Sequence, residues 1–297
     1  MRLYVIGTKG QVSRSLRELA AFVSDLVIGF ASRPELDLAR PQSVARAITS
    51  FRPDIVINPA AYTAVDRAET EPDQAYAINR DAAGEVAKAA NAIGATIIHL
   101  STDYVFDGKK PGPYVETDQP NPQGAYGRSK LEGELAVAAA NPRHVILRTS
   151  WIYAPFGHNF LRTMLKVGAE RECVRVVDDQ RGCPTYAPDI AASIVSIARR
   201  LRHWQQQYSG VTHLAGLEAM TWHQFAGLIF SESAKRAGPS AAVEPISSAE
   251  YPTAALRPAN SQLSTERLRS LFEISLPPTP SSISACLDRI SHEEKGL

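Results

Sequence analysis

Residues 3–13 read Leu3-Tyr4-Val5-Ile6-Gly7-Thr8-Lys9-Gly10-Gln11-Val12-Ser13, and the rest of the chain is organised around them. Four apolar residues stop at Gly7. Apolar side chains then recur at helical spacing through Leu16, Leu19, Ala20 and Val23. The order is strand, glycine-rich turn, helix. Gly7 and Gly10 let a backbone approach a diphosphate closely, and the start of the helix offers free N–H groups with a partial positive charge. A dinucleotide site is expected there, with an ordinary turn as the alternative. Ser13 stands where a third glycine would ease the packing of helix on sheet.

Moving outward, residues 26–30 read as a second strand, followed by Asp37 in Leu36-Asp37-Leu38 and by a helix over 41–51. A third strand, 54–58, runs into Pro59-Ala60-Ala61-Tyr62-Thr63, where small residues leave room for a flat ligand. A long helix is expected over 75–93 and a fourth strand over 96–100. Strands alternating with helices every ~25–30 residues give a parallel, doubly wound sheet of the Rossmann type. Residues 145–147 form a further strand, after which the pattern loosens. Strands at 174–177 and 211–214, helices at 189–201 and 222–237, and scattered prolines suggest a smaller C-terminal α/β lobe that closes over substrate. The expected division is 1–170 for the cofactor domain, with a return near 205–230, and 171–297 mainly for the substrate lobe.

Composition excludes several classes. The 297 residues carry a net charge of +1, so nothing points to nucleic acid or an anionic membrane. Arg199, Arg200 and Arg202 read as the solvated end of a helix. No apolar run approaches about 20 residues, the length of a membrane span. The apolar run after Met1-Arg2 is too short for a signal peptide. Three widely spaced cysteines, Cys173, Cys183 and Cys286, fit a reducing cytoplasm rather than a disulfide framework. No metal-binding spacing of His and Cys occurs, so no metal is expected.

The chemistry is concentrated in two short stretches. Tyr126-Gly127-Arg128-Ser129-Lys130 places a phenol and an ammonium four residues apart, on one face of a helix. A cation there would lower the phenol pKa and fit Tyr126 to exchange a proton with a carbonyl oxygen. Ser101-Thr102-Asp103 follows the fourth strand, and the C-terminal ends of parallel strands are where such sheets present their sites. Together these residues suggest a Thr/Tyr/Lys reductase site. The long loop 107–123, rich in Pro, Gly and Asp, is of the kind often given to function.

Taken together, these stretches resemble the extended short-chain dehydrogenase/reductase superfamily and, within it, the dTDP-4-dehydrorhamnose reductases. The likeness spans nearly the whole chain. It rests on the glycine turn, residues 58–69 (NPAAYTAVDRAE), 101–108 (STDYVFDG), the Tyr126–Lys130 pair, 148–153 (RTSWIY), 179–185 (DQRGCPT) and 257–261 (RPANS). The resemblance implies that Gly10, Gln11 and Val12 bind the diphosphate and that Asp37 and Leu38 lie near the adenine. Ala61, Tyr62 and Thr63 would lie along the nicotinamide half. Tyr126 would be the proton donor, and Lys130 would hold the ribose and tune Tyr126. Thr102 and Asp103 would contact the sugar, with Thr102 polarising its C4 carbonyl. Trp151 would line the sugar pocket, and Arg257 would reach either the nucleotide diphosphate or only a surface carboxylate.

The implied substrate is a dTDP-4-keto-6-deoxy sugar and the implied cofactor NADPH, with NADH possible. The preference for NADPH has its own argument. The second strand ends without the carboxylate that an NAD site aims at the ribose 2′-hydroxyl, and Ser32 and Arg33 follow instead. An Arg can pair bidentately with a 2′-phosphate, with a solvated loop charge preceding Pro34 as the alternative. Some relatives dimerise through magnesium held by glutamates. Ser15 and Pro188 occupy the corresponding positions, so a monomer or weak homodimer is expected. A nucleotide-sugar dehydratase or epimerase on the same fold is the nearer alternative, although position 104 is Tyr rather than the Glu a dehydratase needs. A non-catalytic regulatory subunit, resembling the β subunit of methionine adenosyltransferase, is the other.

Overall fold

The computed structural model describes residues 1–294. The chain begins with β1 (Arg2–Ile6), α1 (Gln11–Ala20), β2 (Val27–Ala31), α2 (Pro41–Phe51) and β3 (Ile55–Asn58). Short helices α3 (Val65–Ala68) and α4 (Pro72–Tyr76) lead through a π-helical segment, Ala77–Ala82, into α5 (Ala83–Ala92). Then come β4 (Thr96–Thr102), α6 (Ala125–Ala140), β5 (His144–Thr149), β6 (Ile152–Tyr153), α7 (Phe160–Glu170), β7 (Cys173–Val177), β8 (Arg181–Gly182) and β9 (Thr185–Tyr186). The last part holds α8 (Ala187–Leu201), β10 (Gly210–His213), β11 (Met220–Thr221), α9 (Trp222–Ala234), β12 (Ala242–Ile246), α10 (Glu266–Phe272) and α11 (Thr279–Glu294).

Six strands form one sheet in the order β10-β5-β4-β3-β1-β2, every neighbouring pair parallel. Their near-continuous apolar runs reflect burial on both faces. Successive residues of β1 separate cleanly. Leu3 and Val5 enter a core shared with Leu16 of α1, Ile190 and Ile194 of α8 and Phe272 of α10. Tyr4 and Ile6 enter the opposite core, with Val44 and Ile48 of α2, Val86 of α5 and Val137 of α6. The order in which strands are added reverses between β1 and β3, and a crevice opens beyond the strand ends at such a switch point. The doubly wound α/β class follows directly from this order.

A third core, with Leu161 and Met164 of α7, Val174 and Val176 of β7, Phe225 and Ile229 of α9, and Ile283 and Leu287 of α11, makes the smaller lobe. The C-terminal half is shared between the two bodies, since β10, α8 and α10 build on the main sheet.

The helix expected over 75–93 runs from Pro72 to Ala92 and is wound as a π-helix in its middle. There Asn79 Oδ1 accepts the Tyr62 N–H at 2.8 Å, and Nδ2 donates to Tyr62 O at 3.1 Å and Ser129 Oγ at 2.9 Å. One buried amide thus ties the loop after β3 to α6. Ser13, in place of a third glycine, is 3% exposed and fits between α1 and the turn at Gly7.

Candidate active site

The main cleft, about 630 Å³, lies at the C-terminal ends of β1, β3 and β4. Its floor is the glycine turn. Gly7 has a φ of +92°, a left-handed conformation that a side chain would strain, and its N–H donates to Ala31 O at 2.6 Å. Gly10 is the N-cap of α1 and offers no side-chain cap, so the N–H groups of the first turn remain available to a ligand. Gly7, Gly10, Gln11 and Val12 all line the cleft, as do Arg33, Leu38, Ala61, Thr63, Tyr126 and Lys130.

Two expected cofactor contacts stand elsewhere. Asp37 lines an adjoining hollow of about 400 Å³ with Arg33, Arg40 and Arg46, not the main cleft. Its Oδ1 turns back to accept the Ala39 N–H at 3.1 Å. Tyr62 is also absent from the cleft wall. Its hydroxyl donates to Glu71 Oε2 at 2.6 Å, and Glu71 in turn pairs with Arg67 at 2.7 Å. A charged acceptor beyond α3 draws the ring out of the cleft, while Ala61 and Thr63 on either side of it stay in.

At the far end, α6 follows its N-cap Gly124 and brings Tyr126 and Lys130 to the cleft on its first two turns. Lys130 is 2% exposed, and its Nζ donates to Leu100 O of β4 at 2.7 Å. Burial lowers its pKa to about 8, against the nearby Glu134 carboxylate, which raises it. Tyr126 is pushed up to about 12 by burial, with the Thr102 hydroxyl pulling the other way and the Asp103 carboxylate adding to the rise. The expectation that Lys130 depresses the phenol pKa is therefore not met, because desolvation of the phenolate dominates. Tyr126 is held as the protonated phenol.

Thr102 and Asp103, at the end of β4, are both buried, and Thr102 Oγ1 donates to Asp103 Oδ1 at 3.0 Å. Burial raises Asp103 to about 6, against hydrogen bonds from Ser261, Thr102 and the backbone. Trp151 stacks on Trp222 of α9, with ring centroids 3.4 Å apart and planes 5° from parallel. It has a φ of +46°, and a Cβ at Gly182 would meet its ring at 2.3 Å. Arg257 pairs with Asp66 at 3.0 Å, and the Ala255 N–H holds the other carboxylate oxygen at 3.1 Å. None of these four lines the main cleft.

Sequence reasoning passed over Thr149, Gly157 and His158, which also line the cleft. Thr149 belongs to the RTSWIY stretch, and its buried Oγ1 has no hydrogen-bond partner. Glu134 was missed as well, although it follows Lys130 by four residues on the same helix, the spacing that paired Lys130 with Tyr126. Ser15 donates to Gln11 O at 2.9 Å and Pro188 sits in the first turn of α8. Among the described residues no group of acidic, His or Cys side chains is gathered as a metal site, and no helix is long and apolar enough to cross a membrane.

The family described as RmlD substrate binding domain matches residues 1–292. A dTDP-4-dehydrorhamnose reductase of Sinorhizobium fredii is 48% identical over 93% of each chain. One of Salmonella typhimurium is 40% identical over 93% of this chain and 94% of its own. A solved dTDP-4-dehydrorhamnose reductase from Bacillus anthracis, in complex with NADP, superposes with a TM-score of 0.87 at 36% identity, covering 97% of this chain and 99% of the other. The chain belongs to the dTDP-4-dehydrorhamnose reductase family of oxidoreductases.

Proposed function

We propose that the chain reduces the C4 carbonyl of dTDP-4-dehydro-L-rhamnose with NADPH to give dTDP-L-rhamnose. The observation that carries this reading is a buried, protonated Tyr126 on the cleft wall, four residues from the Lys130 ammonium. The cleft fits the cofactor. It offers an uncapped helix start at Gly10 for a diphosphate, an unpartnered Thr149 hydroxyl, and Ser32 with Arg33 at the end of β2 for a 2′-phosphate. When bound, NADPH supplies the hydride that C4 accepts. Tyr126 then gives its hydroxyl proton to the C4 oxygen, which balances the reduction to an alcohol. The Thr102 hydroxyl, turned from Asp103 to the substrate, polarises the carbonyl beforehand. Lys130 holds the ribose and keeps a positive charge close to Tyr126 while it is briefly a phenolate. In this reading residues 1–170, joined by β10, serve the cofactor, and 171–297 mainly receive the nucleotide sugar, with Asp103, Trp151 and Arg257 toward it.

Purified protein with NADPH and enzymatically prepared 4-keto sugar should show steady loss of the NADPH absorbance band. NMR of the product should show the rhamno configuration at C4. No turnover would favour a regulatory subunit. A talo product, or a product formed without net oxidation of NADPH, would move the chain to another nucleotide-sugar activity.

A further inference from the structure

Beneath the cleft lies a buried ionic cluster that the reaction above does not use. Arg148 of β5 grips Glu134 of α6 side-on, Nε to Oε1 at 2.9 Å and Nη2 to Oε2 at 2.7 Å. Both side chains are nearly fully buried, at 3% and 4% exposure. Ser101 Oγ, one residue before Thr102, adds a bond to Oε1 at 2.5 Å. Arg148 also lies over the Phe106 ring at 5.0 Å, which seals the pair from water. An ion pair this dry is a poor source of stability compared with apolar packing of the same volume. Its position offers another explanation. The carboxylate fastens the helix that carries Tyr126 and Lys130 to the strand that carries Leu100, Ser101 and Thr102, and to the neighbouring strand.

We propose that Glu134 is a positioning residue for the reduction: its carboxylate, clamped by Arg148 and Ser101, fixes the rotation of α6 over β4 and holds Lys130 as a buried ammonium at the cleft. This rests on the reading that Lys130 serves the cofactor and Tyr126. The charges around Lys130 leave Glu134 as the group able to do so. On its own helix Tyr126 is protonated. On β4, His99 is fully buried and kept neutral by that burial and by Lys130 itself. Asp103, at the end of β4, turns its carboxylate to the Thr102 hydroxyl at 3.0 Å and bears on Tyr126 rather than on Lys130. Arg80, on the π-helical segment that packs on α6, spends its charge on Asp81 and Glu132 at the surface. Arg148 brings a second cation, and its guanidinium is bound to Glu134 at 2.7 Å. Glu134 is also the one charge that works against the burial of Lys130.

The test compares E134Q, E134D and the double variant E134Q/R148M, reading NADPH affinity against pH without sugar and kcat/KM against pH with it. E134Q alone strands a buried guanidinium and is expected to lose stability. The double variant removes both charges at similar volume and should fold. In it, the alkaline fall in NADPH affinity and in kcat/KM should begin at lower pH than in the wild type, by up to about one unit, because the Glu134 carboxylate acts on Lys130 while the Arg148 guanidinium is spent on Glu134. E134D should keep the wild-type alkaline limb while losing kcat. A folded double variant with the wild-type limb in both profiles overturns the proposal, and so does E134D with the limb of the double variant. If the wild type fails to reduce the sugar, the reductase reading falls, and the NADPH profile still decides this one.

Discussion

At the scale of single residues, Tyr126 and Arg33 carry the tests. Tyr126→Phe keeps the ring and removes the proton, so turnover should fall by about 10²–10⁴-fold with NADPH binding retained. Rapid-mixing kinetics and a separate NADPH titration check this, and wild-type turnover would remove Tyr126 from the mechanism. Arg33 borders both the main cleft and the hollow beside it. Arg33→Ala should raise KM for NADPH by about ten-fold or more, as expected for a lost charge-assisted pair, with KM for NADH nearly unchanged. Equal losses for the two cofactors would show that Arg33 does not read the phosphate. The proximity of Tyr126 and Lys130 was legible because four residues on a helix settle it locally. The outward turn of Tyr62 was not, because it depends on Glu71, nine residues away between α3 and α4. Nor was the protonated state of Tyr126, which follows from burial, a property of the assembled fold.

At the scale of elements, α6 lies tightly against the π-helical segment. A Cβ on Gly133 would sit 2.0 Å from Asn79 O, with backbone on both sides and no flexible tip to give way. Gly133→Ala should therefore push α6 off the segment, at a cost of about 1–3 kcal/mol. A matching fall in Tm should be accompanied by lost activity, because the same helix carries Tyr126 and Lys130. An unchanged Tm would show that the contact relaxes freely. The strands of the main sheet were readable from apolar runs bounded by turns. β12 was not, since Glu244 and Pro245 break the run, and it survives by pairing only with β7, where an edge position tolerates the missing N–H. Helix α7 did have a local signal that was passed over. Asn159 caps it, accepting the Arg162 N–H at 3.1 Å. The two-residue strands β6, β8, β9 and β11 are products of tertiary docking and leave no periodicity to read.

At the scale of the whole molecule, acid stability follows from groups buried in unfavourable protonation states. His213 is held down to about 3 by burial and by Arg148. The unfolded chain, at a His pKa near 6.5, binds that proton first, so stability falls as pH drops from about 6.5 toward 3. Asp103 acts in the opposite sense. Its folded pKa of about 6 exceeds the unfolded value of 3.8, so it adds stability as pH falls through that window. The shift at His213 is the larger, and His99 shares its direction. His213→Gln should therefore flatten the loss of stability between pH 6 and 4 in urea titrations, and a slope equal to the wild type would show that other groups dominate. Metal removal should be silent. Ser15 and Pro188 cannot supply carboxylates to a bridging metal, so activity and particle size by light scattering should survive EDTA. A loss restored by Mg²⁺ would contradict that.

Strand β10 pairs with β5 but is separated from it in sequence by the elements of the smaller lobe. During synthesis the ribosome releases β1 to β5 first, and β5 then waits as an open edge until residues 210–213 emerge. An unpaired parallel edge of apolar residues is a template for association with other chains. A chain cut at residue 170 would keep that edge permanently, so the cofactor half should be insoluble when expressed alone. Pairing across so long an interval also raises contact order, and refolding of the intact chain should be correspondingly slow.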